Sequence, residues 1–347
     1  MPDTKILTAT DENIRIAANV LRDGGLVAFP TETVYGLGAN ALDKRAVQSI
    51  FTAKGRPQDN PLIVHTADTK SILPLVEYFP ERAEKLAEAF WPGPLTIILP
   101  RSDAVDPSLS AGLDSVAVRV PSHSVARRLI EWAGVPVAAP SANRSGRPSA
   151  TSAAHCAEDL WGFVDIILDG GLCPVGVEST VLTLIDEIPR ILRPGGITPR
   201  QIEEVIGHVE IDRSVHRELE AGEPASSPGM KHKHYAPKAK TVLVSGSLEH
   251  FIEFCRERNS PGMWAMVFDE DMSLCQDWDF PALSYGSRDS SEDQANRLFA
   301  ALRELDGKGA EIIYIRAPKS EGLGLAVYNR LLRASSFTQY DLEEGSC

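Results

Sequence analysis

The sequence predicts an α/β protein in two parts: a larger domain on a twisted, mostly mixed sheet over residues 1–208, and a smaller Rossmann-like βαβ domain over 241–347. A linker or lid over 209–240 joins them. Three observations carry this. Short β-branched runs bounded by Gly or Pro alternate with runs of helical period. The composition changes in HVEIDRSVHRELEAGEPASSPGMKHKHYAPKAK, which has few large apolar residues and no sustained period. The 347 residues, 43% of them hydrophobic, suffice for two cores.

Taken in order, DENIRIAANVLRDGG reads as a helix capped by Asp11 and stopped at Gly24-Gly25. LVAF follows as a buried strand, KRAVQSIFTAK as a helix, PLIV as a strand, and PERAEKLAEAFW as a helix with Pro80 at its start. LTIIL, SVAVRV, PVAA, VDIILD, STVLTLI and RILR read as strands, with helices HSVARRLIEWAG, SAAHCAEDLWG and TPRQIEEVIG among and after them. Beyond the linker, TVLVSGS, LEHFIEFCRER, MWAMVFDE, SEDQANRLFAALRELD, EIIYIRA and GLGLAVYNRLLRASS alternate strand and helix three times.

Composition bounds the chemistry. A formal net charge of -13 argues against nonspecific adhesion to nucleic acid or membrane, but leaves room for a local basic cleft. No apolar run approaches the roughly 18–20 residues of a membrane helix, and the first residues lack a signal-peptide core, so a cytoplasmic location is expected, with no membrane partner. The five cysteines, Cys156, Cys173, Cys255, Cys275 and Cys347, are scattered and form no C-x-x-C pair; they read as free packing thiols.

Several loops carry chemistry. Gly36-x-Gly38-x-x-Ala41 is a relaxed dinucleotide fingerprint, but TETVY separates it from the preceding strand, where a true fingerprint needs its first glycine. PTETVYG places Thr31, Glu32, Thr33 and Tyr35 at a strand end, where ligands sit; its hydroxyls could equally bond their own turn. KGRPQDNPLIVH sets Lys54 and Arg56 around Gly55, with Asn60 and His65 following. Arg grips two phosphate oxygens and Lys supplies a point charge, though both also suit a helix C-terminus. WPGPLTIIL reads as an architectural turn into a strand. Arg119 ends SVAVRV; Ser141, Asn143, Ser145, Gly146, Ser149 and Thr151 form a small-residue loop fit for an anion; Ser179, Thr180 and Arg193 repeat the pattern. Cations collected at strand ends of an acidic protein imply a polyanionic ligand.

These strings, PTETVYGLGA, KGRPxxNPLIVH, WPGPLT, VRVP, PSANxSGxPS, GGxxxxGVESTV and RPGxIT, resemble the YrdC-like family of threonylcarbamoyl-AMP synthases over roughly residues 10–240. SPGMKHKHYAP looks like the linker of the long two-domain form. The resemblance implies a YrdC-like fold that consumes L-threonine, bicarbonate or CO2, and ATP with Mg2+, giving threonylcarbamoyl-AMP and pyrophosphate. A downstream tRNA threonylcarbamoyl transferase complex would take the product, with direct tRNA contact an option. It assigns threonine to Thr33, His65, Arg119, Ala139 and Ser179, and ATP to Lys54, Arg56, Asn60, Ser115, Ser141, Ser149, Arg193 and Tyr235, with backbone near Ser115 and Ala139 contributing. Lys54 and Arg56 carry the catalytic charge stabilisation; no metal ligand is assigned. Ala150 in PSAT and the residues of KHKHY depart slightly from the pattern.

The implied chemistry is attack of a threonine carbamate on the α-phosphate in line, which needs positioning and charge neutralisation rather than a nucleophilic Ser or Cys. The linker reads as a lid turned by Pro228, Gly229 and Pro237, with Tyr235 on the nucleotide. Two rivals stand beside this: a double-stranded RNA or tRNA-binding module without catalysis, and a carbamoyl-transfer enzyme using another substrate. No phosphate fingerprint marks the C-terminal domain, and EGLGLAVYNR has helix-opening glycines without that spacing.

Overall fold

A computed structural model describes residues 2–218 and 234–342. Among these the chain divides into two compact units, one holding 2–145 and 149–215, the other 146–148, 216–218 and 234–342.

The first unit runs β1 (Lys5–Thr8), α1 (Asp11–Arg22), β2 (Val27–Phe29), β3 (Gly36–Asn40), α2 (Lys44–Lys54), β4 (Ile63–His65), α3 (Glu81–Phe90), β5 (Leu95–Pro100), β6 (Ser115–Arg119), α4 (Ser124–Ala133), β7 (Val137–Ala138), α5 (Ala153–Leu160), β8 (Ile166–Asp169), β9 (Thr180–Thr183), β10 (Arg190–Arg193), α6 (Pro199–Ile206) and β11 (Glu210–Ile211). One 11-stranded sheet takes the order β1-β8-β2-β3-β7-β4-β6-β5-β9-β10-β11. It is mixed: β4 lies parallel to β6 and antiparallel to β7, and β5 antiparallel to β6 and parallel to β9.

The strand alternation separates two faces. Val27 and Phe29 pack with Ile14, Leu21, Leu129 and Ile130 of α1 and α4, while Ala28 between them joins the core built with α2, α3, α5 and α6. The β7 pair divides likewise, Val137 toward α1 and α4, Ala138 away. On the half-sheet from β4 to β10, the face opposite the larger core carries a separate small cluster of strand residues only: Ile63, Ile98, Ala117, Val181 and Leu192.

Local readings are corrected in places. Thr10, not Asp11, caps α1: its hydroxyl accepts from the Asn13 amide, and Asp11 is the first helical residue. GLGAN, whose spacing only loosely matches a dinucleotide fingerprint, is strand β3, its glycines packed against Phe29, whose ring would lie 2.8 Å from a Cβ at Gly38. KILT forms β1, and Glu210–Ile211, in the segment read as linker, forms β11 beside β10.

The second unit comprises β12 (Lys240–Ser245), α7 (Leu248–Glu257), β13 (Met263–Val267), α8 (Asp269–Met272), β14 (Ala282–Ser284), α9 (Ser291–Gly307), β15 (Ile312–Arg316), α10 (Gly324–Ala334) and β16 (Gln339–Asp341). Its sheet, β14-β13-β15-β12-β16, is parallel throughout. Two short strands, β14 and β16, extend the expected alternation. β15 separates β12 from β13, whereas the dinucleotide-binding doubly wound order sets its first strands side by side. Asp271, with no exposed surface, receives Arg316 Nη1 at 2.8 and 2.7 Å and Arg288 Nη2 at 2.5 Å.

Candidate functional site

Period-2 geometry puts the site on the half-face that α1 and α4 do not line. His65 lies two residues after Ile63, Arg119 two after Ala117, Thr96 two before Ile98 and Ser179 two before Val181; each of those apolar partners belongs to the small strand-only cluster. Register sets His65 directly beside Arg119. Sequence reading named His65, Arg119 and Ser179; the sheet brings them to one surface.

Arg119 is held by the Thr31–Tyr35 loop. Its Nη2 lies 2.7 Å from Glu32 Oε1, both side chains buried, and its Nε donates to the Gly93 carbonyl at 3.3 Å. Burial pushes the Glu32 carboxyl up, but the charge and hydrogen bond of Arg119 more than offset this and leave it below its ordinary value. The other carboxylate oxygen, Glu32 Oε2, is buried with no hydrogen-bond partner among the described residues. Burial first, then the neighbouring Arg119 charge, lowers His65 to about 3, so its imidazole is neutral; Nδ1 lies 3.2 Å from the Ile63 carbonyl. Thr33 shares a 2.8 Å hydroxyl contact with Thr31, which donates to the Val34 carbonyl. The Val175 and Gly176 amides bond the carbonyls of Glu32 and Thr33, tying this loop to the one before Ser179.

The cations are likewise held inside the unit. Gly55, at φ 61°, ends α2 in the left-handed region and turns the chain into the Arg56 loop. Lys54 Nζ donates to the carbonyls of Ser141 and Asn143, fastening the small-residue loop to α2. Burial and then the charge of Arg56 lower the Lys54 ammonium well below its ordinary value. Arg56 donates from Nε to the Asn60 carbonyl at 3.2 Å and from Nη2 to that of Pro61 at 3.0 Å. Ser149 donates to Glu178. Arg193 donates from Nε to the Ser179 carbonyl and from Nη2 to its hydroxyl, both at 3.1 Å; that hydroxyl also meets Thr96 Oγ1 at 2.7 Å. The following turn passes so close that a Cβ at Gly195 would lie 2.2 Å from the Thr180 amide nitrogen and 2.4 Å from the Ser179 carbonyl carbon. Ala139 sits beside β4, its amide on the Ile63 carbonyl.

Ser115 begins β6, four residues and so about 13 Å of strand from Arg119. Tyr235 belongs to the second unit, buried there with its ring on Phe299. Pro228 and Gly229 of the expected lid lie outside the described residues.

This architecture has known counterparts. A family model described as "Telomere recombination" matches residues 19–195, and one described as "Threonylcarbamoyl-AMP synthase, C-terminal domain" matches 197–336. The threonylcarbamoyl-AMP synthase of Pyrococcus abyssi is 47% identical over 335 residues, 93% of this chain and 94% of the relative. That of Bacillus subtilis is 46% identical, covering 96% and 95%. A crystal structure of P. abyssi Sua5 complexed with L-threonine superposes with TM-score 0.88 at 44% identity, covering 98% of this chain and 99% of that one. The chain belongs to the threonylcarbamoyl-AMP synthase family.

Within this threonylcarbamoyl-AMP synthase fold, the sequence reading placed Glu32 in a candidate ligand loop without a partner and gave Thr96 and Glu178 no role, yet the three hold Arg119, Ser179 and Ser149. A carboxylate inside a buried, hydroxyl-rich strand end was the available signal for Glu32, because a buried acid requires a cationic partner. Thr96 lay inside LTIIL, where a lone threonine reads as strand-forming.

Proposed function

We infer that this chain is an L-threonylcarbamoyladenylate synthase: it joins L-threonine, bicarbonate or CO2, and ATP into threonylcarbamoyl-AMP with release of pyrophosphate, for tRNA modification. The observation that carries this is the match to full-length synthases over more than nine-tenths of both chains. The domain plan proposed is catalysis in 1–208, a lid in 209–240 and an accessory Rossmann-like domain in 241–347.

Threonine lies on the face of His65, Arg119, Ala139 and Ser179, with Thr33 at its edge. Arg119 faces the carboxylate; the neutral imidazole of His65 adds no charge and hydrogen-bonds the amino acid. The threonine amine attacks CO2, forming the C–N bond and losing a proton, and a carbamate oxygen attacks the α-phosphorus while the bond to pyrophosphate breaks. Lys54, Arg56 and Arg193 neutralise the charge that builds on the phosphates; Asn60, Ser115, Ser141, Ser149 and Tyr235 orient the nucleotide. Preset by main-chain carbonyls, Lys54 and Arg56 reorganise little as the reaction proceeds. Mg2+ fits as a passenger of the triphosphate, which supplies oxygen ligands; among the described residues no three His, Cys, Asp or Glu side chains gather to hold a metal. The product passes to a tRNA threonylcarbamoyl transferase complex. Among the described residues no helix is long and apolar enough to cross a membrane, and we place the enzyme in the cytoplasm.

The test is pyrophosphate release from ATP, expected only when threonine and bicarbonate are both present. Release without threonine, or equal rates with serine, overturns the substrate assignment. No release, with RNA binding that falls steeply with salt, favours the RNA-binding alternative.

A further inference from the structure

His65, Arg119 and Thr96 stand side by side on three neighbouring strands of the first unit. β4 pairs with β6 so that His65 lies beside Arg119. β5 runs antiparallel to β6 with Ile97 opposite Val118. One step along that register sets Thr96 opposite Arg119, and side chains directly opposite share a face. Ser179 comes next, immediately before β9, its hydroxyl 2.7 Å from Thr96 Oγ1. Thr96 therefore stands between Arg119 and Ser179, two of the groups assigned to threonine. The hydroxyl protons of the Thr96–Ser179 pair can be counted. Neither residue has exposed surface. Ser179 Oγ accepts from Arg193 Nη2 at 3.1 Å. One hydroxyl proton lies between the two oxygens. The pair owns a second proton, and no acceptor among the described residues takes it. A buried hydroxyl proton left without an acceptor costs more than the bond it could make is worth, so a substrate oxygen that receives it relieves a real penalty. If Thr96 is the donor within the pair, Ser179 has committed both lone pairs, to Arg193 and to Thr96, and can only donate onward.

We propose that Thr96 is a positioning residue of the threonine site: its hydroxyl donates to Ser179 Oγ, which leaves Ser179 only a proton to offer, and Ser179 gives that proton to the threonine carboxylate beside Arg119. This rests on the reading that threonine lies on this face. A group that can only donate, next to a guanidinium, suits an anionic oxygen and makes a charge-assisted bond with it. Thr96 acts through Ser179. Its effect belongs in threonine binding and not in KM for ATP, because Arg193 keeps its other bond, to the Ser179 carbonyl, whatever stands at 96.

The experiment uses the full chain, comparing wild type with Thr96→Val, Thr96→Ser, Thr96→Ala, Ser179→Ala and Thr96→Val/Ser179→Ala. L-threonine binding is measured by calorimetry without ATP, beside KM for threonine and for ATP from pyrophosphate release, and melting temperature. Thr96→Val, close in shape to the native side chain but without the hydroxyl, is expected to weaken threonine binding and raise its KM about threefold to tenfold, the scale of one net hydrogen bond. KM for ATP moves by less than about twofold. Thr96→Ser, which keeps the hydroxyl, recovers most of the loss. In the Ser179→Ala background Thr96→Val adds less than about twofold, because the two hydroxyls act as a unit. A role in packing alone predicts the reverse order, Thr96→Ser impaired and Thr96→Val spared, and that order overturns the proposal. So do additive losses in the double variant, or a KM for ATP that rises as much as KM for threonine. If Ser179→Ala weakens threonine binding while Thr96→Val does not, the threonine contact stands and the positioning role falls. If wild type binds no threonine, or Ser179→Ala binds it as wild type does, the placement of threonine at Ser179 fails and the proposal with it. Thr96→Ala, smaller and also without the hydroxyl, is read in place of a Thr96→Val variant that does not fold.

Discussion

The two units handle buried charge in different ways. In the second, Arg316 is set against the fully buried carboxylate of Asp271, so opposite charges cancel. In the first, Lys54 is fastened by two neutral main-chain carbonyls. A carbonyl orients a cation without cancelling it, and burial, then the Arg56 charge, lower the Lys54 ammonium. The first arrangement stabilises a framework; the second leaves its cation to the phosphate that the proposed reaction brings. Arg119 lies between, paired to Glu32 through one oxygen while the other is left without a hydrogen-bond partner among the described residues. The lesson is that the partner of a buried cation, more than its burial, separates scaffold from site.

The largest expected effect tests that contrast directly. Asp271→Ala and Glu32→Ala each strand a buried arginine and should cost about 3–5 kcal/mol of stability in urea denaturation. Only Glu32→Ala should also raise KM for threonine; equal changes in both variants would break the distinction. Next, Arg56→Ala should lose about 2–4 kcal/mol of transition-state stabilisation, read as kcat/KM for pyrophosphate formation. A near wild-type rate would reduce Arg56 to a tie on the Asn60 and Pro61 carbonyls.

A smaller effect follows pH. Because His65 is lowered from 6.5 to about 3, the unfolded chain takes up a proton that the folded chain refuses. Stability on this account falls as pH drops from about 6.5 toward 3, by roughly 1.4 kcal/mol per pH unit at most. His65→Gln should flatten that slope in denaturation curves; His123, also lowered by burial, keeps part of it.

How far the sequence revealed this varies by element. LTIIL and SVAVRV were readable because continuous β-branched runs between Gly and Pro admit few other structures. β3 was not, since GLGAN is glycine-rich and strand propensity says turn; close packing on Phe29 decides it. The choice of Thr10 over Asp11 as cap turns on one residue of backbone, since either side chain can accept the amide. The strand order of the second unit depends on long-range pairing that local pattern does not encode. In the site, residue types at strand ends were legible; their partners were not. Which carbonyl a lysine meets, or that Thr96 meets Ser179 across 83 residues, is a product of tertiary folding.

The turn at Gly195 has a genetic corollary. With main-chain atoms of Ser179 and Thr180 filling the space a β-carbon needs, every missense codon there shifts the peptide that carries the Arg193-bound serine. A saturation screen would score this position as null as any chemical group in the enzyme. Intolerance to replacement would then mark a backbone crossing, and an inhibitor effort guided by such a map would be aiming at packed main chain rather than at a ligand contact.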